Sequence, residues 1–439
     1  MLNSPEDIQN KRAPEDQVNQ VVSLYQKGDI QETLVQAQQL NLKYPETPPL
    51  HNILGACLSH TGQTKQSLYH FKEALRLEPS NPATYNNLGT ILIDLQQYEE
   101  AQKILEYAIK IKPNFAEAHN NLGNALKEQE AYKEAIPCYE KAITINEHYF
   151  EAYNNLGVAL HKLKNYTEAE KNLTQALKLN PEFAEACCNI GSVLADQKKY
   201  QKAIQYFNKA LKINPNYAEG HKNKGLCLKV QNHLGEALTA FNEAVNCNPN
   251  LFEAKSESLY VRDEICDWSE LDQLAPELKQ LGISTPVVNT FAILYMEDHP
   301  ERQMIRASKY VAEKYNENPI PLPAKPKTIP NKLRIGYFSA DFREHAVAYQ
   351  IAKVLASHNR SKIEVYAYSF KQANDAMQKQ IMQSVDHFKD VSGMSDKEVA
   401  LLARKDNINI AVDLMGYTRD ARTNIFAFRA APVQILYLY

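Results

Sequence analysis

The feature that most restricts how this chain can fold is a strict period. Gly55, Gly89, Gly123, Gly157, Gly191 and Gly225 recur at one constant interval, that from 55 to 89. Twelve places after each comes a small residue (Ser67, Ala101, Ala135, Ala169, Ala203, Ala237), and nineteen places after, an alanine (Ala74, Ala108, Ala142, Ala176, Ala210, Ala244). The sixteenth place is always large: Phe71, Leu105, Tyr139, Leu173, Phe207 and Phe241. At the twenty-fourth stand Pro79, Pro113, Pro181, Pro215 and Pro249, with Glu147 the exception. A repeat of this length is one supersecondary unit that cannot bury its apolar face alone, so it must stack on copies of itself.

The pattern resembles tetratricopeptide repeats, in which each unit is two antiparallel helices. The glycine and alanines let two helices approach, the large residue fills the space between them, and the proline stops the second helix. Counting from seven residues before each glycine gives units 48–81, 82–115, 116–149, 150–183, 184–217 and 218–251. A degenerate unit at 14–47 is expected to cap the array, and residues 1–13 are expected to be disordered.

Position 6 of the units reads Ile53, Asn87, Asn121, Asn155, Asn189 and Asn223. Asparagine is about 0.5 kcal/mol worse than alanine inside a helix, so five of them at one place suggest a task. At about 100° per residue, position 6 shares a stripe with positions 2, 9 and 13, away from the buried Leu and Gly at 7 and 8. An amide there can pair with both the C=O and the N–H of a visiting main chain, which would make a peptide-holding ladder. The same amides could instead bond between neighbouring helices, and periodicity does not decide between the two. Asn86, Asn120 and Asn154 at position 5 carry a weaker signal. Glu117, Glu151, Glu185 and Glu219 at position 2 could favour basic ligands, but acids are favoured in any first helical turn.

A net charge of −3 argues against nucleic acid or an anionic membrane as main partner. No apolar run approaches the roughly 20 residues that span a bilayer, and the polar start lacks a signal-peptide core. Seven cysteines without a C-x-x-C spacing read as reduced thiols, and the chain as cytoplasmic.

After residue 251 the pattern stays helical without the period to about 316, and five prolines between 319 and 330 form a stiff linker, 317–331. Strands then alternate with helices: strands at 332–339, 362–369, 387–391, 408–414 and 433–439, helices at 345–357, 373–385, 396–405 and 422–429. This order predicts a parallel, doubly wound α/β sheet. Its ligands would bind beyond the strands' carboxyl ends, here Ser339–His345 and Asp413–Thr418. Strand-like sequence runs to Tyr439, from which a truncated chain is expected.

The Asn-Leu-Gly repeats, Cys266-Asp267-Trp268, LRIGYFSADFREH at 333–345, DLMGYTRDAR at 413–422 and RAAPVQ at 429–434 together resemble protein O-GlcNAc transferases, nearest the bacterial and algal type. The resemblance covers nearly everything after residue 48. It implies an α-solenoid of repeat helix pairs followed by an incomplete two-lobed (GT-B) glycosyltransferase, with 332–439 as its N-terminal Rossmann-like half. The implied activity moves a sugar, by expectation GlcNAc, from a nucleotide sugar to Ser or Thr of proteins in the groove. No metal or cofactor is implied, UDP-GlcNAc being a substrate; a homodimer is compatible with it. His345 matches the family's histidine proposed as general base, and a role in positioning the sugar is equally open. The following Ala346 stands where animal members have proline. Gly416, Tyr417 and Thr418 match the family's Gly-Tyr-Thr as substrate contacts, though a plain turn would read the same. Asp341 reads as the cap of the next helix, and His387 as structural. No G-x-S-x-G, G-x-G-x-x-G or metal-ligand spacing points to another chemistry. The competing readings are a repeat scaffold without catalysis and a fucosyltransferase of the same family.

Overall fold

The computed structural model describes residues 12–267, 278–288, 297–315, 331–416 and 421–436, together with Ser269, Pro276, Ile293 and Pro321. The chain forms two compact units, Met1–Pro249 and Asn250–Tyr439.

The first unit is a row of helix pairs. The degenerate pair is α1 (Glu15–Lys27) and α2 (Ile30–Lys43). The six periodic pairs are α3 (Pro48–His60) and α4 (Thr64–Leu77), α5 (Pro82–Asp94) and α6 (Tyr98–Ile111), α7 (Ala116–Glu128) and α8 (Tyr132–Ile145), α9 (Phe150–Lys162) and α10 (Tyr166–Leu179), α11 (Ala184–Asp196) and α12 (Tyr200–Ile213), and α13 (Ala218–Val230) and α14 (Leu234–Cys247). Each first helix begins on the first residue of the unit read from the sequence.

The repeat's glycine and large residue meet as the spacing predicts. A Cβ built on Gly89 would lie 2.5 Å from Leu105 Cγ, and one on Gly123 2.5 Å from Tyr139 Cε1. Carbon atoms prefer about 3.5–4.0 Å, so each glycine is a slot for the ring or isobutyl group sixteen residues on. Those side chains are buried in every repeat, as are the alanines. Where the small residue is Ser67, its hydroxyl donates to Gly55 C=O at 2.7 Å, so burying it leaves no orphan.

The turn inside each pair repeats too. Gly62, Gln96, Glu130, Lys164, Lys198 and Asn232 all have positive φ between 60° and 73°. The left-handed residue ends the first helix and lets the next N–H reach back, as Lys199 N–H does to Leu194 C=O at 2.9 Å. Only the first of these residues is glycine; the others bear a left-handed cost of roughly 1–2 kcal/mol each.

Successive first helices touch one another along the row, whereas the second helices of neighbouring repeats hardly meet. The first helices therefore line the inner side of the curve. The stripe of positions 2, 6, 9 and 13 lies on them, half-exposed or exposed from Asn87 onward.

The second unit opens with α15 (Phe252–Glu264). The loss of period expected after 251 is corrected here. α15 starts one full repeat after α13, and Cys266, with φ 56°, stands one full repeat after Asn232. The register persists, but Leu259 occupies the glycine place and hides it from the sequence pattern. Of the helical connector, α16 (Pro300–Lys314) is described; its Arg306 is fully buried, donating to Leu281 C=O at 2.8 Å and to Glu297 Oε2 at 2.7 Å. The linker 317–331 and residues 1–13 lie almost wholly outside the described residues.

The rest of the unit is a five-stranded parallel sheet, β1 (Leu333–Ser339), β2 (Ile363–Ser369), β3 (His387–Asp390), β4 (Ile410–Asp413) and β5 (Val433–Leu436), in the order β3-β2-β1-β4-β5. The helices are α17 (Ala346–Ser357), α18 (Ala376–Gln383), α19 (Asp396–Lys405) and α20 (Asn424–Ala427). One face packs Tyr337, Val365, Ala367 and Val412 against α17 and α18. The other packs Phe338, Tyr368 and Ala411 against α19 and α20. Strands buried on both faces explain the near-continuous apolar runs in the sequence. Two helices are shorter than expected. Asp375 caps α18, its carboxylate accepting Gln378 N–H at 2.8 Å, and Asn374 before it has positive φ. Arg422 is spent as a clamp, donating to Asp396 Oδ1 at 2.6 Å and Val391 C=O at 3.0 Å, so α20 begins after it.

Candidate active site and peptide groove

The sheet's order reverses between β1 and β4. The connection after β1 leads to the α17 face and that after β4 to the α20 face, which leaves a crevice at their carboxyl ends. One wall is the loop 340–345. Ser339 Oγ accepts Asp341 N–H at 2.9 Å and donates to Met415 Sδ at 3.3 Å, joining the two strand ends. Gln378 Nε2 donates to Phe342 C=O at 3.1 Å and Asp375 Oδ2 accepts Glu344 N–H at 2.9 Å, fixing the loop from α18.

His345 sits at the end of this loop and is itself the cap of α17: its Nδ1 accepts Val347 N–H at 3.3 Å. The cap expected from Asp341 is therefore corrected. Asp341 lies four residues too early, nearly buried, and its Oδ1 accepts from Arg343 Nη2 at 3.2 Å. Its Oδ2 comes within 3.5 Å of the same His345 Nδ1. One nitrogen cannot accept from Val347 and donate to Asp341 at once. The backbone contact is the shorter and meets hydrogen-bond geometry; a neutral ring that keeps it carries its proton on Nε2. His345 then offers a donor outward.

The other wall is the β4 turn. Gly416 has φ 57°, which glycine adopts without strain, and its C=O accepts from Thr423 Oγ1 at 3.1 Å. Tyr417 and Thr418, the other two expected contacts here, lie outside the described residues. Sequence reasoning placed Asp413, which ends β4, at the expected ligand edge but gave it no role of its own. Only 5 % of it is exposed. Its Oδ1 accepts both Met415 N–H (2.9 Å) and Gly416 N–H (3.3 Å). Burial pushes its carboxyl up to about 6, against the lowering by those two bonds. It borders a cavity of about 200 Å³ with Gly416, Thr423, Phe426, Gln434, Ile435 and Leu436. An acid closing the apolar run Ile-Ala-Val was the available signal.

His387, read as structural, starts β3, stacks on Tyr366 and meets Glu364 Oε1 at 2.8 Å. Among the described residues no group of three or more His, Cys, Asp or Glu could hold a metal. No described helix is long and apolar enough to cross a membrane.

In the first unit the position-6 asparagines make a regular chain. Asn121 Nδ2 donates to Asn86 Oδ1 (2.9 Å), Asn155 to Asn120 (3.0 Å) and Asn189 to Asn154 (2.9 Å). Asn87 reaches Asn52 at 3.4 Å, and Asn223 reaches Cys188 Sγ at 3.6 Å and Ser192 Oγ at 3.5 Å. Position 5 is thus the partner of position 6 in the next repeat, a pairing that the sequence signal at Asn86, Asn120 and Asn154 did not reveal. Asn121 is engaged further, its Nδ2 also donating to Thr90 Oγ1 at 3.2 Å and its Oδ1 accepting from Asn120 Nδ2 at 3.4 Å. Each position-6 amide remains half-exposed on the inner stripe, and an amide has two N–H donors and two oxygen lone pairs in all. Position 2 joins in once, where Glu185 accepts from Asn154 at 3.0 Å.

Comparison with known proteins bears on both units. The glycosyl transferase family 41 model matches residues 265–439, and a tetratricopeptide repeat model matches 150–183 and 184–217, two of the units counted above. The Arabidopsis thaliana protein named probable UDP-N-acetylglucosamine–peptide N-acetylglucosaminyltransferase SEC is 33% identical over 192 residues, 40% of this chain and 20% of that protein. The Caenorhabditis elegans UDP-N-acetylglucosamine–peptide N-acetylglucosaminyltransferase is 30% identical over 193 residues, 40% of this chain and 17% of that one. The chain thus spans about a fifth of the length of these relatives. A solved structure of a Thermobaculum terrenum O-GlcNAc transferase mutant aligns over 66% of this chain and 50% of that one, at 24% identity and a TM-score of 0.36. The chain joins tetratricopeptide repeats to a glycosyl transferase family 41 segment, and over two fifths of its length it is similar to proteins named as UDP-N-acetylglucosamine–peptide N-acetylglucosaminyltransferases.

Proposed function

We propose that this protein transfers a sugar, GlcNAc by preference, from a nucleotide sugar to Ser or Thr hydroxyls of polypeptides lying along the inner face of the repeats. The observation that carries the reading is the family 41 segment joined to the repeats, in one chain with a half-exposed row of amides. The amide row supplies main-chain pairing that does not depend on acceptor side chains. The crevice between β1 and β4 receives the reacting end of the donor. His345, with its proton on Nε2, donates a hydrogen bond to an oxygen of the sugar or phosphate rather than taking the acceptor's proton. The donor is a substrate, and no metal enters the scheme.

The test uses the protein expressed from its whole gene, incubated with UDP-GlcNAc or GDP-fucose and a mixed peptide library, with labelled Ser and Thr read by mass spectrometry. Labelling from UDP-GlcNAc is expected. Labelling from GDP-fucose alone would replace the donor assignment, and labelling from neither would leave a binding scaffold.

A further inference from the structure

The crevice contains one group that neither the repeats nor His345 accounts for. Asp413 is an almost fully buried acid, yet among the described residues no lysine, arginine or histidine pairs with it. Its hydrogen bonds among those residues are the two backbone N–H groups of its own turn, both on Oδ1. A buried carboxylate without a counter-ion is costly to keep, and its raised pKa records that cost. The cavity beside it adds the hydroxyl of Thr423 and the amide of Gln434. Those two are occupied, Thr423 on Gly416 C=O, and Gln434 on Ala430 N–H (2.9 Å) and Phe426 C=O (3.0 Å). Among the described residues the acceptor left for a ligand is Asp413 Oδ2.

A buried acidic acceptor of this kind selects its ligand. A phosphate would meet repulsion there. A neutral group rich in O–H donors would find a charge-assisted partner. The cavity, about 200 Å³, falls below the roughly 300–1,000 Å³ of sites that enclose drug-sized ligands. It suits one sugar ring and not a whole nucleotide sugar. We infer that Asp413 Oδ2 accepts a hydrogen bond from a hydroxyl of the sugar being transferred, so that Asp413 holds the sugar end of the donor while the nucleotide lies elsewhere. This rests on the glycosyltransferase reading and names the part of the donor that the first Rossmann-like half recognises.

The experiment compares wild type with Asp413→Asn, both expressed from the whole gene. Asparagine keeps the size and an Oδ1 that can accept the same two N–H bonds, while removing the charge. The expected result is a donor KM raised about tenfold or more, with unchanged inhibition by free UDP and unchanged peptide KM. If UDP inhibition weakens equally, or the peptide KM moves instead, or nothing moves, the assignment to the sugar is overturned while the glycosyltransferase reading stands. If wild type itself transfers no sugar from any donor, both fall. Should Asp413→Asn melt lower than wild type, saturation-transfer NMR on wild type decides. Sugar-ring protons of bound donor saturating through β4 support the assignment, and a sugar ring that stays dark overturns it.

Discussion

Replacing Gly89 by alanine tests the geometry of the repeat at one contact. The new methyl would sit 2.5 Å from Leu105 Cγ and 2.6 Å from Cδ2, about 1 Å closer than carbon atoms tolerate. Leu105 is fully buried and has nowhere to go. Overpacking of this kind costs about 1–3 kcal/mol. Alanine returns about 0.8–1.0 kcal/mol of helix propensity, so the net loss is about 1 kcal/mol. Leu105→Ala alone leaves a cavity and costs about 2–5 kcal/mol. In that background the clash is gone and only the propensity gain remains, so Gly89→Ala should stabilise by about 1 kcal/mol. The sign reverses, and the coupling is about 2 kcal/mol. Stacked repeats need not unfold in one step. The assay is therefore hydrogen exchange of the amides in α5 and α6, which reads the local opening free energy. Equal destabilisation in both backgrounds would refute the claim that the glycine exists to admit Leu105.

Two further outcomes follow from single residues. Pro137 lies inside α8, where a proline costs about 3 kcal/mol; Pro137→Ala should raise the thermal midpoint of the repeats, and a fall would show that the ring packs against something essential. Asp413 is the reverse of a stabilising carboxylate. Its folded pKa, about 6, lies above the ordinary value of 3.8, so between those values the folded state holds a proton that the unfolded state has lost. Stability must rise as pH falls from 7 toward 4, by up to about 3 kcal/mol at about 1.36 kcal/mol per unit. Asp413→Asn should therefore raise the midpoint of the second unit at pH 7.5 and flatten this part of its pH dependence; identical pH profiles would count against the buried, unpaired state.

The architecture was largely legible because it is written in periods. Gly55 to Gly225 located the start of the first helix in each of the six periodic repeats, since a Cβ at those places has no room. The α/β alternation located β1 to β5, most plainly β1, β2 and β4, whose buried ends are apolar on both faces. What escaped depended on partners far apart in sequence or on backbone geometry. Leu259 in the glycine place concealed the repeat register of α15. Asp341 looked like a helix cap until the loop's length gave that task to His345. The pairing of Asn121 with Asn86 spans 35 residues, and two adjacent asparagines do not announce that one serves the repeat before and the other the repeat after. Asp413 stood at the expected ligand edge without a role of its own, because the depth of its burial is a property of its surroundings.

Acceptor length supplies the most direct test of the account. Asn121→Ala, Asn155→Ala and Asn189→Ala are combined in the protein from the whole gene, and sugar transfer to an unfolded protein acceptor is compared with transfer to a short Ser/Thr peptide. If the amides hold the main chain of the acceptor, transfer to the protein falls steeply, transfer to the short peptide stays near wild type, and helicity is retained. Equal rates on both acceptors would assign those amides to the seams between helices alone.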